Sequence, residues 1–372
     1  MQKIIVSVTN DLVTDQRVHK VCTTLLKMDF DVLLVGRKLT KSLPLQRDYQ
    51  THRIKLLFNS GFLFYAEYNL RLFFYLLFKK KTVLLANDLD TLLANYLASK
   101  FSAIKLVYDS HELFTEVPEL VNRPRVQKIW TALEKRILPK LKNTYTVCQS
   151  IADYYNDKYQ TNFKVVRNVP VLVETTSNRQ QTTNKEIAAP EILGLKTIIY
   201  QGAINVGRGL ELMIETMQYL DNCQFVIVGD GEIIGDIKRF ITHKKLNDKV
   251  ILLGKKTPSE LKKITPKANL GISIEEDLGL NYHFALPNKI FDYIHANIPI
   301  LVSNLPEMKQ IVSTYKVGEI IEDRDPKKLA IQIEKMLKLD VGVIKGNLKT
   351  ASVLLQWKNE EKELQKIFNN LQ

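Results

Sequence analysis

The stretch "LPNKIFDYIHANIPILVS" (286–303) reads as a helix start, a short helix and a strand in immediate succession. Pro287, Asn288 and Lys289 stand at the helix start, Asp292 comes one turn later, and the apolar run "PILVS" (299–303) follows. A helix N-terminus already carries positive partial charge, so a carboxylate is the usual side chain there. A lysine beside free backbone N–H groups is explained if an anion from outside the chain binds at that point. Pro287 suits the first helical position, where its missing N–H costs nothing. Lys289 and Asp292, three residues apart, share a helix face. The plainer alternative is a surface Lys–Asp pair, a weak ion pair and nothing more.

Working outward, strand and helix alternate along the whole chain. In the first half, "KIIVSV" (3–8), "DVLLVG" (31–36), "TVLLA" (82–86), "KLVYD" (105–109), "TYTVC" (144–148) and "FKVVRN" (163–168) read as strands, with helical segments between most of them. A polar connector without apolar period, "ETTSNRQQTTNKE" (174–186), interrupts the alternation. It resumes with "KTIIYQG" (196–202), "QFVIVGDG" (224–231), "KVILLG" (249–254), "NLGISI" (269–274) and "PILVS", and closes on a helical segment over roughly 345–370. Short apolar strands alternating with helices imply parallel sheets covered on both faces. The expected fold class is therefore α/β, two doubly wound parallel-sheet domains facing a central cleft. The expected boundaries are a first domain over 1–170, a linker over 171–195, a second domain over 196–345 and a C-terminal helix over 346–372 that crosses back to the first. At 372 residues the chain is long for one core, which agrees with two.

The bulk composition removes several function classes. Apolar residues make up 45% and charged residues 25%, an ordinary globular balance. Cys22, Cys148 and Cys223 form no CxxC pair, which argues against a zinc or redox motif and fits a reducing cytosol. The opening "MQKIIVSVTND" reads as a strand, not a signal peptide. Lys plus Arg outnumber Asp plus Glu by 53 to 40, a net charge of +13 that attracts polyanions or an anionic membrane surface. Zinc-finger spacing, RNP-like aromatics and a long basic arm are all absent, so nucleic acid is not the expected partner. The stretch "FLFYAEYNLRLFFYLLFKKK" (62–81) is very apolar but is interrupted by Glu67, Asn69 and Arg71. It reads either as a buried helix or as a helix lying near a membrane surface with its lysines on anionic headgroups.

Ligands of open parallel sheets gather where strands run into helices. The first such loop, "TNDLVTDQR" (9–17), lacks GxGxxG, which argues against a nicotinamide dehydrogenase. It offers Asn10, Asp11, Asp15 and Arg17, with helix capping by Thr14 or Asp15 as the alternative role. The loops "ANDLD" (86–90) and "YDSHELFTE" (108–116) follow; the second puts Asp109, His111 and Glu112 at a strand end. A histidine there can bond a hydroxyl or phosphate oxygen and change charge near neutral pH. A lone histidine in that cluster makes a metal site unexpected. In the second half, "YQGAINVGRGLEL" (200–212) supplies Gly202, whose backbone can approach a phosphate closely, and Arg208, a fixed bidentate donor. Arg208, Lys289 and the helix N-terminus could together hold a diphosphate. Asp292 could accept two ribose hydroxyls.

These motifs in this order, "RGLELMIE", "VGDGE", "LGKKTPSEL" and "LPNKIFDYIHANIPIL", resemble the carboxyl half of family-4 glycosyltransferases of the GT-B fold. "DQRVHK", "ANDLDTLLA", "VYDSHELF" and "VRNVP" agree with the amino half. The resemblance covers roughly 3–340. It implies two Rossmann-like domains, a nucleotide-diphosphate sugar bound in the second, an acceptor-binding first domain, and transfer with retention and no required metal or cofactor. It makes Arg208 the diphosphate-holding cation and His111 the active-site histidine near the transferred sugar. Asp292 becomes the second acid of an E-x7-E pattern, on the ribose. Two positions depart from the pattern: the usual arginine after the first glycine is Ala203, and the first acid falls on Phe284. Glu275, Glu276 or Asp277 could substitute from upstream, or Asn288 and Lys289 could take over recognition.

The expected protein is a cytoplasmic enzyme, peripheral on the inner face of the cell membrane. It would move a hexose from a UDP- or GDP-sugar to a saccharide or lipid-linked acceptor in cell-surface polysaccharide or glycolipid synthesis. His111, Arg208 and Lys289 are its expected catalytic residues. Gly202, Asn288 and Asp292 complete the donor site, and Asn10, Asp11, Asp15, Arg17, Asp109 and Glu112 form the acceptor side. Two alternatives stay open: a sugar-nucleotide epimerase or hydrolase of the same fold, and a non-catalytic polyanion-binding protein.

Overall fold

The computed structural model describes residues 2–13, 15–172, 195–339 and 342–371. They form two compact units. One comprises Met1–Asn168 with Gly279–Asn281 and Trp357–Gln372; the other comprises Val169–Leu278 and Tyr282–Gln356.

The first unit runs β1 (Lys3–Ser7), α1 (Gln16–Lys27), β2 (Asp31–Lys38), β3 (Gln50–Lys55), α2 (Gly61–Phe78), β4 (Val83–Asn87) and α3 (Leu89–Ser102). It continues with β5 (Lys105–Ser110), α4 (Pro118–Val121), α5 (Pro124–Ile137), β6 (Asn143–Thr146), α6 (Gln149–Tyr159) and β7 (Lys164–Val165). Its strands lie in the order β3-β2-β1-β4-β5-β6-β7, and all neighbours are parallel. The second unit runs β8 (Lys196–Gln201), α7 (Leu210–Thr216), β9 (Cys223–Val228), α8 (Ile234–His243), β10 (Val250–Gly254), α9 (Pro258–Ile264) and β11 (Leu270–Ser273). Then come α10 (Leu280–His283), α11 (Asn288–His295), β12 (Ile300–Val302), α12 (Pro306–Tyr315), β13 (Gly318–Ile320), α13 (Pro326–Lys338) and α14 (Gly342–Leu354). The sheet order is β10-β9-β8-β11-β12-β13, again wholly parallel. The last helix, α15 (Trp357–Asn369), packs in the first unit's core through Trp357, Leu364 and Phe368. Residues of α10 are divided between the two units.

Central strands of a parallel sheet are covered on both faces and carry apolar residues without alternation. Every residue of β4, β9 and β11 is buried accordingly. Where the sequence pattern fails, the strand is at an edge. β3 ("QTHRIK") escapes the sequence reading because it has one neighbour and only Ile54 fully buried. "FKVVRN", read as a six-residue strand, pairs only through Lys164 and Val165, also at an edge. The helical segment expected over 345–370 is two helices, α14 and α15, split between the two units. Most of the expected linker over 171–195 lies outside the described residues, as does Thr14. Asp15 caps α1, accepting from the N–H of Val18 at 2.9 Å. Pro287 is the N-cap of α11, so Asn288, not Pro287, takes the first helical position.

The loops leaving β8 and β9 cross at two glycines. Gly202 donates its N–H to Val228 O at 3.0 Å, and Gly229 has φ +154°. A Cβ on Gly229 would fall 1.8 Å from Gly202 O, so Gly229→Ala must displace the loop that carries Arg208. The expected cost is about 2 kcal/mol or more, read as a lower urea midpoint than the parent chain.

Candidate functional site

Both sheets reverse strand order beside their first strand, β1 in one unit and β8 in the other. At such a point the outgoing loops diverge and leave a crevice at the carboxyl ends of the strands. In the second unit these loops follow β8 and β11. Lys289, on the first turn of α11, sends its ammonium to Glu275, just past β11, with Nζ 2.6 Å from Oε1. The ammonium also lies 4.0 Å from the centre of the Tyr200 ring. Arg208 brings Nη1 to 3.9 Å from the same carboxylate oxygen and lays its guanidinium over Tyr282 at 5.0 Å. Its Nε is buried and has no hydrogen-bond partner. Ser273 Oγ donates to the other carboxylate oxygen at 2.8 Å.

The expectation that these cations stand unneutralised until an outside anion arrives does not hold for Lys289, which meets a carboxylate of the chain itself. Glu275 is fully buried and takes Lys289 as its partner; Lys289 does not pair with Asp292 across the helix face. The sequence could not show this, because the acid arrives from 14 residues upstream through the fold. Two cations face one carboxylate, so one positive charge is left over, and it belongs to the more exposed Arg208. Burial by itself would raise the Glu275 carboxyl, but the Lys289 ammonium and its hydrogen bond hold it below the usual value. Burial lowers the Lys289 ammonium, against the pull of Glu275.

Asp292 is half-buried, and its Oδ2 accepts from Gln201 Nε2 at 2.8 Å. Gln201 in turn accepts from Thr265 Oγ1 at 2.7 Å, which fixes the amide's orientation. The acid is therefore held at the mouth of β8, beside the exposed Gly202. Asn288 is exposed on α11. Tyr200 and Gln201, inside the quoted "YQGAINVGRGLEL", and the lone Tyr282 were not named by the sequence reading, because their partners come from other segments. Of the upstream acids that could stand in for the one missing at Phe284, Glu275 is the one that reaches the cations.

In the first unit the loops of β1, β4 and β5 converge. Arg17 is buried and grips Asp109 with two bonds, Nη2 to Oδ1 at 2.7 Å and Nε to Oδ2 at 3.0 Å; a third goes to Val166 O at 2.7 Å. His111 Nε2 lies 3.1 Å from Asp109 Oδ2, and Nδ1 lies 3.2 Å from Asp88 Oδ2. Burial would lower the imidazole, but Asp88 and Asp109 raise it to about 9, so it is an imidazolium at neutral pH. Asp88, inside the quoted loop "ANDLD" but not named there, is at φ +57°, a costly conformation for a non-glycine residue. Asn10 and Asp15 serve the local turn, Asn10 Nδ2 donating to Asp15 Oδ2 at 2.6 Å. Asp11 accepts from Ser42 at 2.7 Å and faces Arg53 at 3.4 Å. Burial and the Asp88 charge push the Glu112 carboxyl up to about 7. Among the described residues no group of three or more His, Cys, Asp or Glu side chains is placed to hold a metal ion.

Residues 183–348 match the family described as glycosyl transferases group 1. No curated protein matches the chain. Solved structures share the fold along its whole length. Sucrose-phosphate synthase of Thermosynechococcus elongatus superposes with a TM-score of 0.78 at 13% identity, covering 100% of this chain and 99% of that one. HepE of Anabaena, solved in complex with UDP-glucose, gives 0.74 at 13% identity, with 100% of both chains covered. WaaG, a glycosyltransferase involved in lipopolysaccharide biosynthesis, gives 0.66 at 13%, covering 98% of this chain and 99% of that one. The fold is GT-B, with parallel sheets of seven and six strands. The matched residues 183–348 contain the whole Arg208, Glu275, Lys289 and Asp292 cluster.

Two expectations follow. Lys289→Met strands a buried carboxylate and costs roughly 3–5 kcal/mol in urea unfolding, whereas Arg208→Met, at a more exposed position, costs much less. For His111, a folded-state pKa raised above the ordinary 6.5 stabilises the native state fully below that ordinary value and loses the contribution as pH climbs through about 9. The stability gap between the parent and His111→Gln should be widest below about pH 6.5 and shrink from there through about pH 9, as followed by urea melts at a series of pH values.

Proposed function

We propose that the protein is a retaining hexosyltransferase of family 4 that takes its sugar from a UDP- or GDP-sugar. The acceptor in this reading is a saccharide or a lipid-linked saccharide, and the product belongs to a cell-surface polysaccharide or glycolipid made at the inner face of the cell membrane. One observation carries the reading: Arg208 holds the excess positive charge at the switch point of the second sheet, with a buried Nε that the protein leaves unpartnered. A diphosphate oxygen satisfies both the charge and the donor. HepE, which shares the fold, binds UDP-glucose, and WaaG serves lipopolysaccharide biosynthesis; both support the donor and product classes.

The chemistry follows from charge. Breaking a glycosyl–phosphate bond leaves positive charge on the sugar and negative charge on the departing diphosphate. Lys289, buried, and Arg208, half-buried, stabilise that oxyanion from pre-ordered positions. Lys289 can turn part of its bonding from Glu275 to the phosphate, since an ammonium has three donors and one goes to the carboxylate. Asp292, already oriented by Gln201, accepts ribose hydroxyls. His111 is an imidazolium whose two nitrogens face Asp109 and Asp88, so it donates hydrogen bonds and takes no proton. The acceptor's proton then goes to the leaving phosphate as the hydroxyl attacks from the side the diphosphate leaves. That geometry retains the anomeric configuration.

A thermal-shift screen against UDP-, GDP-, ADP- and CMP-sugars identifies the donor, because a ligand of the folded state raises the melting temperature by mass action. With that donor, Arg208→Ala should lower turnover about a hundredfold while leaving the unliganded melting temperature nearly unchanged. Turnover within a few-fold of the parent's would remove the diphosphate clamp.

A further inference from the structure

The stretch 62–81, read above as either a buried helix or a helix at a membrane, is α2, and the core takes only part of it. Phe64, Tyr68, Leu72 and Leu76, one residue per turn, are buried. On the other side Leu70, Phe74 and Phe78 stand 59%, 50% and 84% exposed. α2 packs along α3, and α3 repeats the pattern: Leu93, Leu97 and Phe101, each four residues from the last, are 37%, 38% and 75% exposed. The two stripes are joined by an edge-to-face contact between Phe73 and Phe101, with ring centres 5.8 Å apart. Scattered exposed leucines need no explanation, but two adjoining stripes along helices of about 27 and 21 Å do.

The surface is held in place. Glu67 takes the N–H groups of Leu57 and Phe58 at 2.9 and 3.0 Å and pairs with Arg71 at 2.7 Å, which pins an apolar loop tip beside the start of α2. Its rim is basic. Lys79 and Lys80 leave the end of α2 and Lys100 leaves α3, all exposed. Lys79 lies over the Tyr75 ring at 5.4 Å and Lys100 over Tyr96 at 5.6 Å. An open groove of ≈ 430 Å³ beside α2 has Phe74, Tyr75 and Phe78 in its wall and Arg71 and Lys79 on its edge. The carboxylates of α2 and α3 do not offset this charge: Glu67 is engaged by Arg71, and Asp90 is buried. Phenyl rings and leucines backed by tyrosine–lysine pairs match an anionic bilayer, whose acyl boundary takes the rings while its headgroups take the ammonium groups. No helix among the described residues is long and apolar enough to cross a membrane, so such a surface would lie on it.

We propose that the α2–α3 face of the first unit is a docking surface for an anionic lipid bilayer. It is separate from the residues assigned to donor binding, and its test does not depend on them. The parent chain is sedimented with phosphatidylcholine vesicles, with and without phosphatidylglycerol, at low and high salt. Binding is expected only with phosphatidylglycerol and should weaken with salt. Substituting Lys79, Lys80 and Lys100 together by Ser should lower it about a hundredfold, at roughly fivefold per lysine. Phe74→Ser with Phe78→Ser should lower it at least about tenfold. All five side chains are exposed, and unchanged melting temperatures would show that both variants fold. The proposal is overturned if the parent fails to sediment with phosphatidylglycerol vesicles, or if both variants sediment as the parent does. It is also overturned if light scattering shows a dimer that the phenylalanine substitutions dissolve, which would give the face to a second copy of the chain.

Discussion

A carboxylate with no exposed surface must find cations or lose its charge, and Glu275 governs how the second unit is arranged around that demand. Lys289 has to reach it, so α11 must start beside the end of β11. The chain meets this with Pro287 as cap and the lysine two residues further in. Ser273 satisfies a second oxygen. The glycines at 207 and 209, both at positive φ, let the Arg208 loop turn tightly enough to bring a second cation near. A Cβ on Gly209 would collide with Ile274 O at 2.2 Å, directly before the acid. The surplus cation and its unsatisfied nitrogen follow from these fixed positions.

The first unit solves a like problem at the corresponding place in its sheet. Asp109, next to the last residue of β5, is wholly buried, and Arg17 meets it with the planar two-bond geometry that only a guanidinium offers. Arg17 and Asp109 are thereby committed to one another, and what is left for a ligand is His111, partly exposed and charged. Each unit thus uses one inward cation to stabilise a buried acid and presents a second, more accessible one. Substituting an inward cation, Arg17 or Lys289, therefore carries a structural cost, whereas substituting Arg208 carries chiefly a functional one.

The architecture was legible because parallel strands buried on both faces leave unbroken apolar runs such as "FVIV" and "VLLA". What escaped was at edges and between distant segments. β3 hid behind polar residues that an edge strand tolerates, and the break between α14 and α15 lay inside one continuous helical pattern. Arg208, Lys289 and Asp292 could be named from local spacing, and the fold does bring Arg208 and Lys289 to one carboxylate. Their charge balance could not be named, because Glu275 and Gln201 enter from other strands. Asp88 lay inside the quoted loop "ANDLD", but its role could not be named, because a strained backbone leaves no trace in composition.

The path of the chain has a consequence for its birth on the ribosome. The first unit's core includes Trp357, Leu364 and Phe368 of α15, and Trp357 donates its indole N–H to Thr24 Oγ1 at 3.0 Å. Arg167 is tied to Glu360 by a 2.7 Å contact. Every residue of the second unit is therefore synthesised before the first can close over its own apolar side chains. The amino-terminal sheet must wait, with the face meant for α15 uncovered, while nearly two hundred residues emerge behind it. Order of translation and order of completion are reversed, and the half made first is the half most in need of protection until the last helix arrives.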